Sequence, residues 1–233
     1  MARTFKALSA LLSYPTAELC GAAGELRTAL RGEALVPSRR LALLDRLLDE
    51  LAARDLYDLQ ERYTLLFDRS RSLSLHLFEH IHGESRDRGQ AMVDLARHYE
   101  SRGFVIAASE LPDFLPLFLE FLSLLPEGEA RALLAEPAEV LRTLEERLRR
   151  RRSIYAGVFL ALLDLAGEVP AAGARMAPAD EVDPEDLAAL DAEWEETAVT
   201  FGPGDPMADS CGRTRLATRL RAAVRSVADR AGH

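Results

Sequence analysis

The sequence predicts an all-α protein, and three observations carry that prediction. The helix formers Leu, Ala, Arg and Glu dominate the composition. Sustained alternating runs of β-branched residues, which a sheet requires, are absent. Apolar residues instead recur at three- and four-residue spacing from Phe5 to Leu165, the spacing of one helix face. With 233 residues, 48% of them hydrophobic, the chain can bury a substantial core.

The elements follow in order. Phe5, Leu8, Leu11 and Leu12 line the first helix, and Tyr14-Pro15 ends it, because the residue before proline is pushed out of the α region. Leu19, Leu26 and Leu30 mark a weaker second helix. Pro37-Ser38 reads as an N-terminal signal for a third, with Leu41, Leu44, Leu48 and Leu51 on its face. Asp55 caps a fourth carrying Leu56, Leu59, Tyr63, Leu66 and Phe67, closed by Asp68–Ser72. Leu73–Ile81 reads as a short apolar helix broken at Gly83. Ser85 or Asp87 then starts a helix that buries Met92, Leu95 and Tyr99 and stops at Gly103. Leu111–Leu125 is apolar on most sides and therefore predicted to be a central helix, with Pro112 and Pro116 near its start, where proline costs least. Pro137–Ala166 is the longest predicted helical stretch, its stripe interrupted by Arg149–Arg152, which read as a solvated face.

Past Gly167 the character changes. Residues 167–178 are rich in Gly, Ala and Pro and read as a linker. Asp180–Asp209 then holds eleven acidic residues and no basic one, with a helix-like stretch around Trp194. Arg213–Arg230 reverses the sign, with six arginines against one aspartate. The expected division is a helical domain over 1–166 and a charged tail over 167–233. Net charge −9 disfavours nonspecific nucleic-acid binding. Cys20 and Cys211 form no C-x-x-C pair and suit a reducing compartment. No signal-peptide pattern opens the chain, and its longest uncharged apolar run, Ile154–Leu163, is half the ~20 residues of a spanning helix. A cytoplasmic location without membrane insertion is expected.

The densest chemistry lies in Leu75–Leu95, where His76, His80 and His82 surround charged residues. His76-Leu77-Phe78-Glu79-His80 has the H-x-x-E-H order of the inverted zinc proteases, in which two histidines four apart on one helix face bind zinc and the glutamate serves as base. Glu110, Asp113 or Glu120 would supply a third ligand. This gives a metal-dependent hydrolase as an alternative reading. The competing reading is a polar recognition junction, with His80 and His82 hydrogen-bonded at a helix end. Asp113 and Glu120, seven residues apart, are placed on one face, with Arg86 or Arg88 neutralising a buried carboxylate. No G-x-S-x-G, phosphate loop or dinucleotide glycine fingerprint is present. Mid-chain aromatic residues beside acidic ones suit a groove for a basic amphipathic peptide.

Several of these segments together resemble a known family. Tyr63-Thr64-Leu65-Leu66-Phe67-Asp68-Arg69, then Ser72-Leu73, then Phe78 through Leu95, then Glu110-Leu111-Pro112-Asp113 with Leu115-Pro116 and Glu120, are similar to the signature of the nitrate reductase assembly chaperones, the NarJ/NarW family. Leu12-Ser13-Tyr14-Pro15 resembles its N-terminal motif. The likeness spans about residues 5–165. It implies a single helical-bundle domain of the redox-enzyme maturation chaperone type, without enzymatic activity or a cofactor of its own. The implied partner is the apo catalytic subunit of respiratory nitrate reductase. Its amphipathic N-terminal segment would be held until iron–sulfur clusters and molybdenum cofactor are inserted, before membrane attachment. The implied peptide-binding residues are Tyr63, Phe67, Asp68 and Arg69; Phe78, Glu79, His80 and His82; Arg86, Asp87 and Gln90; and Glu110, Leu111, Pro112, Asp113, Phe114 and Phe118. Of these, Glu79, Asp87 and Asp113 are expected to meet cations, and Phe67, Leu111, Phe114 and Phe118 to receive apolar side chains. Phe114 departs from the family, which commonly has histidine there. The family signature also begins at Phe78, which leaves His76 outside it.

Overall fold

The computed structural model describes residues 3–82, 85–106 and 110–167; the tail expected over 167–233 lies, apart from Gly167, outside the described residues. Among the described residues the protein is all-α, with eleven α-helices and no strand. In order they are α1 (Arg3–Leu11), α2 (Ala17–Gly21), α3 (Ala23–Gly32), α4 (Ser38–Ala53), α5 (Leu56–Tyr63), α6 (Leu77–His82), α7 (Asp87–Glu100), α8 (Leu115–Leu124), α9 (Glu127–Leu134), α10 (Ala138–Arg150) and α11 (Ala156–Leu165). A π-helical turn, Thr64–Asp68, extends α5, and a 3-10 turn, Arg71–Leu73, follows it. None of the described helices is long and apolar enough to cross a membrane.

Several boundaries differ from the sequence reading, each for a local reason. The second predicted helix is two, α2 capped by the Thr16 hydroxyl and α3 beginning after Ala22. Ser38 is the first residue of α4 rather than its cap. Asp55 does cap α5, its carboxylate accepting from the Tyr57 amide at 2.8 Å. Leu73–Ile81 is not one helix: only Leu77–His82 is helical, and His76 pairs as an isolated antiparallel bridge with Phe114. That pairing also delays α8 until Leu115, so Pro116 lies in its first turn and Pro112 precedes it. α9 was not anticipated. The long stretch to Ala166 divides into α10 and α11 because Arg152 adopts a left-handed φ of 53°. There the Ser153 amide donates to the Leu148 carbonyl at 2.9 Å, closing the end of α10.

Helix α11 is the centre of the domain: every residue from Ala156 to Leu163 is buried, as is Leu165. It packs on α4, α9 and α10, while α8 packs chiefly on α1. The single acid of α11, Asp164, accepts from the buried Arg40 guanidinium at 2.9 Å. This pairing meets the cost of placing a carboxylate in the interior. Helix α1 is closed from a distance by Glu33, whose carboxylate accepts from the Arg3 amide (2.7 Å), the Thr4 amide (2.8 Å) and the Thr4 hydroxyl (2.8 Å). Burial pushes the Glu33 carboxyl up, but these bonds outweigh it and hold it below its ordinary range.

Two predictions follow from this packing. A Cβ at Gly157 would lie 2.9 Å from the Leu43 Cβ, where α11 crosses α4. Gly157→Ala is expected to lower stability in urea titrations by about 1–3 kcal/mol through overpacking, against the helix preference of alanine. His98 is buried at 2% exposure against the Phe121 ring, and neither of its ring nitrogens has a hydrogen-bonding partner among the described residues. Burial, with Arg102 adding to it, holds the imidazole below its ordinary value of 6.5. The unfolded chain then binds the extra proton first, so stability is fully present above pH 6.5 and falls as pH drops toward the folded value. His98→Phe is expected to raise the melting temperature more at about pH 5.5 than at about pH 8, measured by circular dichroism.

Candidate partner-binding site

Two constructions bring the motif residues together. The first is a clasp between residues 74–78 and 111–115. The Leu77 amide donates to the Asp113 carbonyl (3.0 Å), and the Leu115 amide donates to the Leu75 carbonyl (2.8 Å). Asp113 itself is fully buried. One of its carboxylate oxygens accepts from the Phe78 amide at 3.0 Å, and the other lies 3.2 Å from the His76 Nδ1. The carboxylate therefore caps α6 from another segment, where the positive end of the helix dipole favours it. Its hydrogen bond to His76 raises that imidazole above 6.5, against an opposing effect of burial. Tyr99 donates its hydroxyl to the Pro112 carbonyl at 2.7 Å and secures the same loop.

The rest of the histidine segment is equally committed. His80 Nε2 lies 2.8 Å from the Ser74 carbonyl, and burial holds this imidazole below its ordinary value. His82 stands edge-on to Phe78. Glu79 pairs with Arg88 at 3.2 Å. Burial pushes Glu79 up, but hydrogen bonds from Ser74 and Arg88 hold it below its usual range. His76 precedes α6, so His76 and His80 do not share a helix face, and the premise of the zinc-hydrolase reading fails. Among the described residues no three His, Cys, Asp or Glu side chains converge as metal ligands would. The expected Asp113/Glu120 strip is corrected likewise: Asp113 lies before α8, and Glu120 is half-exposed beside Lys6 at 3.5 Å. Arg88 neutralises Glu79, and it is His76 that pairs with the buried Asp113.

The second construction is an open cleft of about 400 Å³ where the π-helical turn meets the loop after α1. Tyr14, Tyr57 and Leu65 supply apolar surface, and Gln60, Glu61, Thr64 and Arg69 supply polar groups. Tyr57 and Tyr14 are 79% and 45% exposed, so each presents an aromatic ring to solvent. The walls are fixed: the Gln60 side-chain amide donates to the Pro15 carbonyl at 2.9 Å, and the Tyr63 hydroxyl donates to the Leu12 carbonyl at 2.8 Å. The π turn is closed by the Arg69 amide donating to the Thr64 carbonyl at 3.0 Å, a five-residue step that recurs at functional sites. Beneath lies a run of rings: Tyr14 on Tyr63 (5.5 Å), Tyr63 on Phe67 (5.0 Å) and Phe67 on Tyr155 (5.1 Å). Burial pushes the Tyr155 phenol up to about 12 and the Tyr63 phenol higher still, so both remain neutral hydrogen-bonding groups.

Residues 21–161 match the family described as nitrate reductase delta subunit. The chain is 42% identical over 95% of its length to the nitrate reductase molybdenum cofactor assembly chaperone NarJ of Escherichia coli K12, covering 92% of that protein. The chain belongs to the nitrate reductase delta subunit family, the NarJ/NarW group. It is also 40% identical over 84% of its length to the probable chaperone of the same description, NarW, of E. coli K12, covering 82% of that relative. With the probable NarJ of Bacillus subtilis it shares 32% identity over 69% of its length, covering 86% of that protein.

Within this member of the family, the residues expected to contact a peptide separate into two sets. Tyr63, Phe67, Phe78, Asp113 and Phe118 are buried and build the core and the clasp. Asp68, Arg69, Arg86, Asp87, Gln90, Glu110 and Leu111 are exposed, while Glu79, His80, His82, Pro112 and Phe114 are partly so. Only Arg69 of the whole set lines the cleft. Tyr14, Tyr57, Gln60, Glu61, Thr64 and Leu65 were not singled out as contacts. Tyr57 offered one signal, an aromatic ring displaced from the Leu56–Leu59–Tyr63 stripe of its own helix.

Replacing Asp113 separates its structural role from any surface role. Asp113→Ala leaves the Phe78 amide and the His76 ring without their shared acceptor and is expected to cost about 3–5 kcal/mol in urea titrations. Asp113→Asn keeps one acceptor oxygen and is expected to cost less. In the wild type the His76 contribution is fully present below pH 6.5 and is lost as pH rises through the raised folded value.

Proposed function

We propose that this protein is a dedicated assembly chaperone for respiratory nitrate reductase. On this reading it binds the N-terminal segment of the apo catalytic subunit. It holds the subunit in the cytoplasm for iron–sulfur and molybdenum cofactor insertion, before membrane attachment. The observation that carries the reading is the near end-to-end similarity to the E. coli assembly chaperone, 42% identity over 95% of the chain. The geometry supports it with an exposed, rigidly backed aromatic cleft. Tyr14, Tyr57 and Leu65 offer an apolar seat for the hydrophobic face of a short amphipathic helix. Glu61 within the cleft and Asp68 beside it offer carboxylates to its basic residues. The exposed acids Asp87 and Glu110 and the apolar Leu111 and Phe114 extend the same role toward α7 and the clasp.

Isothermal calorimetry with a synthetic peptide of the first ~15–30 residues of a nitrate reductase catalytic subunit tests this, that being the length of helix-in-groove ligands. Saturable binding is expected. Tyr57→Ala, and separately Glu61→Lys with Asp68→Lys, are expected to weaken it about tenfold, equivalent to about 1.4 kcal/mol. Absence of binding by the wild type would refute the peptide-holding role. Binding that survives both variants would move the peptide away from the cleft.

A further inference from the structure

The cleft holds two opposite charges that its own walls leave unpaired. Its lining follows one face of α5 and the π turn, where Tyr57, Gln60, Glu61, Thr64 and Leu65 recur at three- and four-residue spacing. Continued as an α-helix, that face would next present Asp68, four residues after Thr64 and seven after Glu61. The step from the Thr64 carbonyl to the Arg69 amide instead spans five residues, which inserts one extra residue into the turn. Arg69 therefore joins the lining, and Asp68 is carried to its flank. The π turn places a cation where an α turn would have placed a carboxylate.

Glu61 and Arg69 are both exposed, and among the described residues neither side chain has a hydrogen bond or an ion pair. Eight residues separate them, about 12 Å along a helix, so they do not neutralise each other. Asp55, the cap of α5, and Asp58 in its first turn strengthen the acidic end and offset the positive terminus of α5 itself. The cleft thus has an electrical axis, negative near Tyr57 and Glu61 and positive at Arg69. Asp68, on the flank, remains open to basic side chains.

We infer that the cleft selects the direction of the helix it binds, with the N-terminal end of that helix at Tyr57 and Glu61 and its C-terminal end at Arg69. This rests on the peptide reading of the same cleft. A helix is positive at its first turn and negative at its last, where four carbonyls lack partners within the helix. An N-terminal segment also carries its α-ammonium at the first end. Aligned with α5, such a helix sets its amides and its ammonium against carboxylates and its last carbonyls against the Arg69 guanidinium. Reversed, it sets amides against Arg69 and carbonyls against Glu61. The cation at a helix C-terminus is worth about two- to fivefold in affinity.

A paramagnetic label reads the direction in the full-length wild-type protein. The probe is a synthetic peptide of the first ~15 residues of a nitrate reductase catalytic subunit, about 22 Å as a helix. It carries a maleimide nitroxide on a cysteine added near one end or the other, and broadening is followed in the amide spectrum of the ¹⁵N-labelled protein. The N-terminal label is expected to broaden the Tyr57 and Glu61 amides at least about threefold more than the Arg69 and Ser70 amides, given the ~12 Å between them. The C-terminal label is expected to reverse that order. Arg69→Gln is expected to raise Kd about two- to fivefold by calorimetry. No binding by the wild type refutes the peptide reading itself. Binding in which both labels broaden the two sets alike, or in the opposite order, leaves that reading standing and overturns the direction. Broadening confined to residues outside the cleft overturns the site and the direction together. An unchanged Kd in Arg69→Gln removes the cation from recognition and overturns the inference.

Discussion

A helix that is apolar on almost every side has to be enclosed, and the burial of α11 at every residue but Asp164 is the constraint on which the rest of this domain depends. Two features make that enclosure possible. Gly157 lets the α4 backbone approach where any Cβ would collide with Leu43. Arg40 meets the one carboxylate of α11 within the interior. The constraint also reaches the surface. Tyr155, immediately before α11, begins the run of rings that continues through Phe67 and Tyr63 to the half-exposed Tyr14. The floor of the cleft is thus an extension of the core, which holds the exposed rings in place without a partner.

Helix ends in this protein are closed by residues far away in sequence. Glu33 caps α1 across about thirty residues, and Asp113 caps α6 across thirty-five. Each places a carboxylate where unpaired amides and the helix dipole concentrate positive character. The Asp113 clasp explains why residues 74–76 lie outside the helix. Their backbone pairs with 111–115 instead of continuing a helix. A stretch dense in histidine and carboxylate thereby becomes a joint between two parts of the bundle, its side chains already engaged with Asp113, Ser74 and Arg88.

Charge is distributed by a different logic from the core. Inside, Asp113 and the largely enclosed carboxylate of Asp164 each have a named cation or amide beside them, and the buried Glu145 lies 3.4 Å from Arg149. Outside, Arg69, Arg71, Arg149, Arg150 and Arg152 are exposed, while the largest excess of acid in the sequence lies after Gly167. Segregation on this scale affects long-range attraction and the choice of partner more than it affects folding.

Helical periodicity was enough to read the all-α class, the Asp55 cap and the stop at Gly103 from sequence, because each is a local property of a few adjacent residues. The family, too, was legible, since its motifs are strings of neighbouring residues. What the sequence did not disclose depends on contacts between distant segments. The H-x-x-E-H order suggested one helix face, yet pairing of His76 with Phe114 removed it from the helix. Phe67, Phe78, Phe118 and Asp113 looked like a binding surface because aromatic and acidic residues serve equally well in a core and in a groove. Only tertiary packing decided that they belong inside. It also brought Tyr14, Tyr57, Leu65 and Arg69 to one cleft, from segments whose spacing in sequence carries no sign of their meeting. Local preference is written in neighbouring residues, whereas burial and juxtaposition are settled by the whole chain.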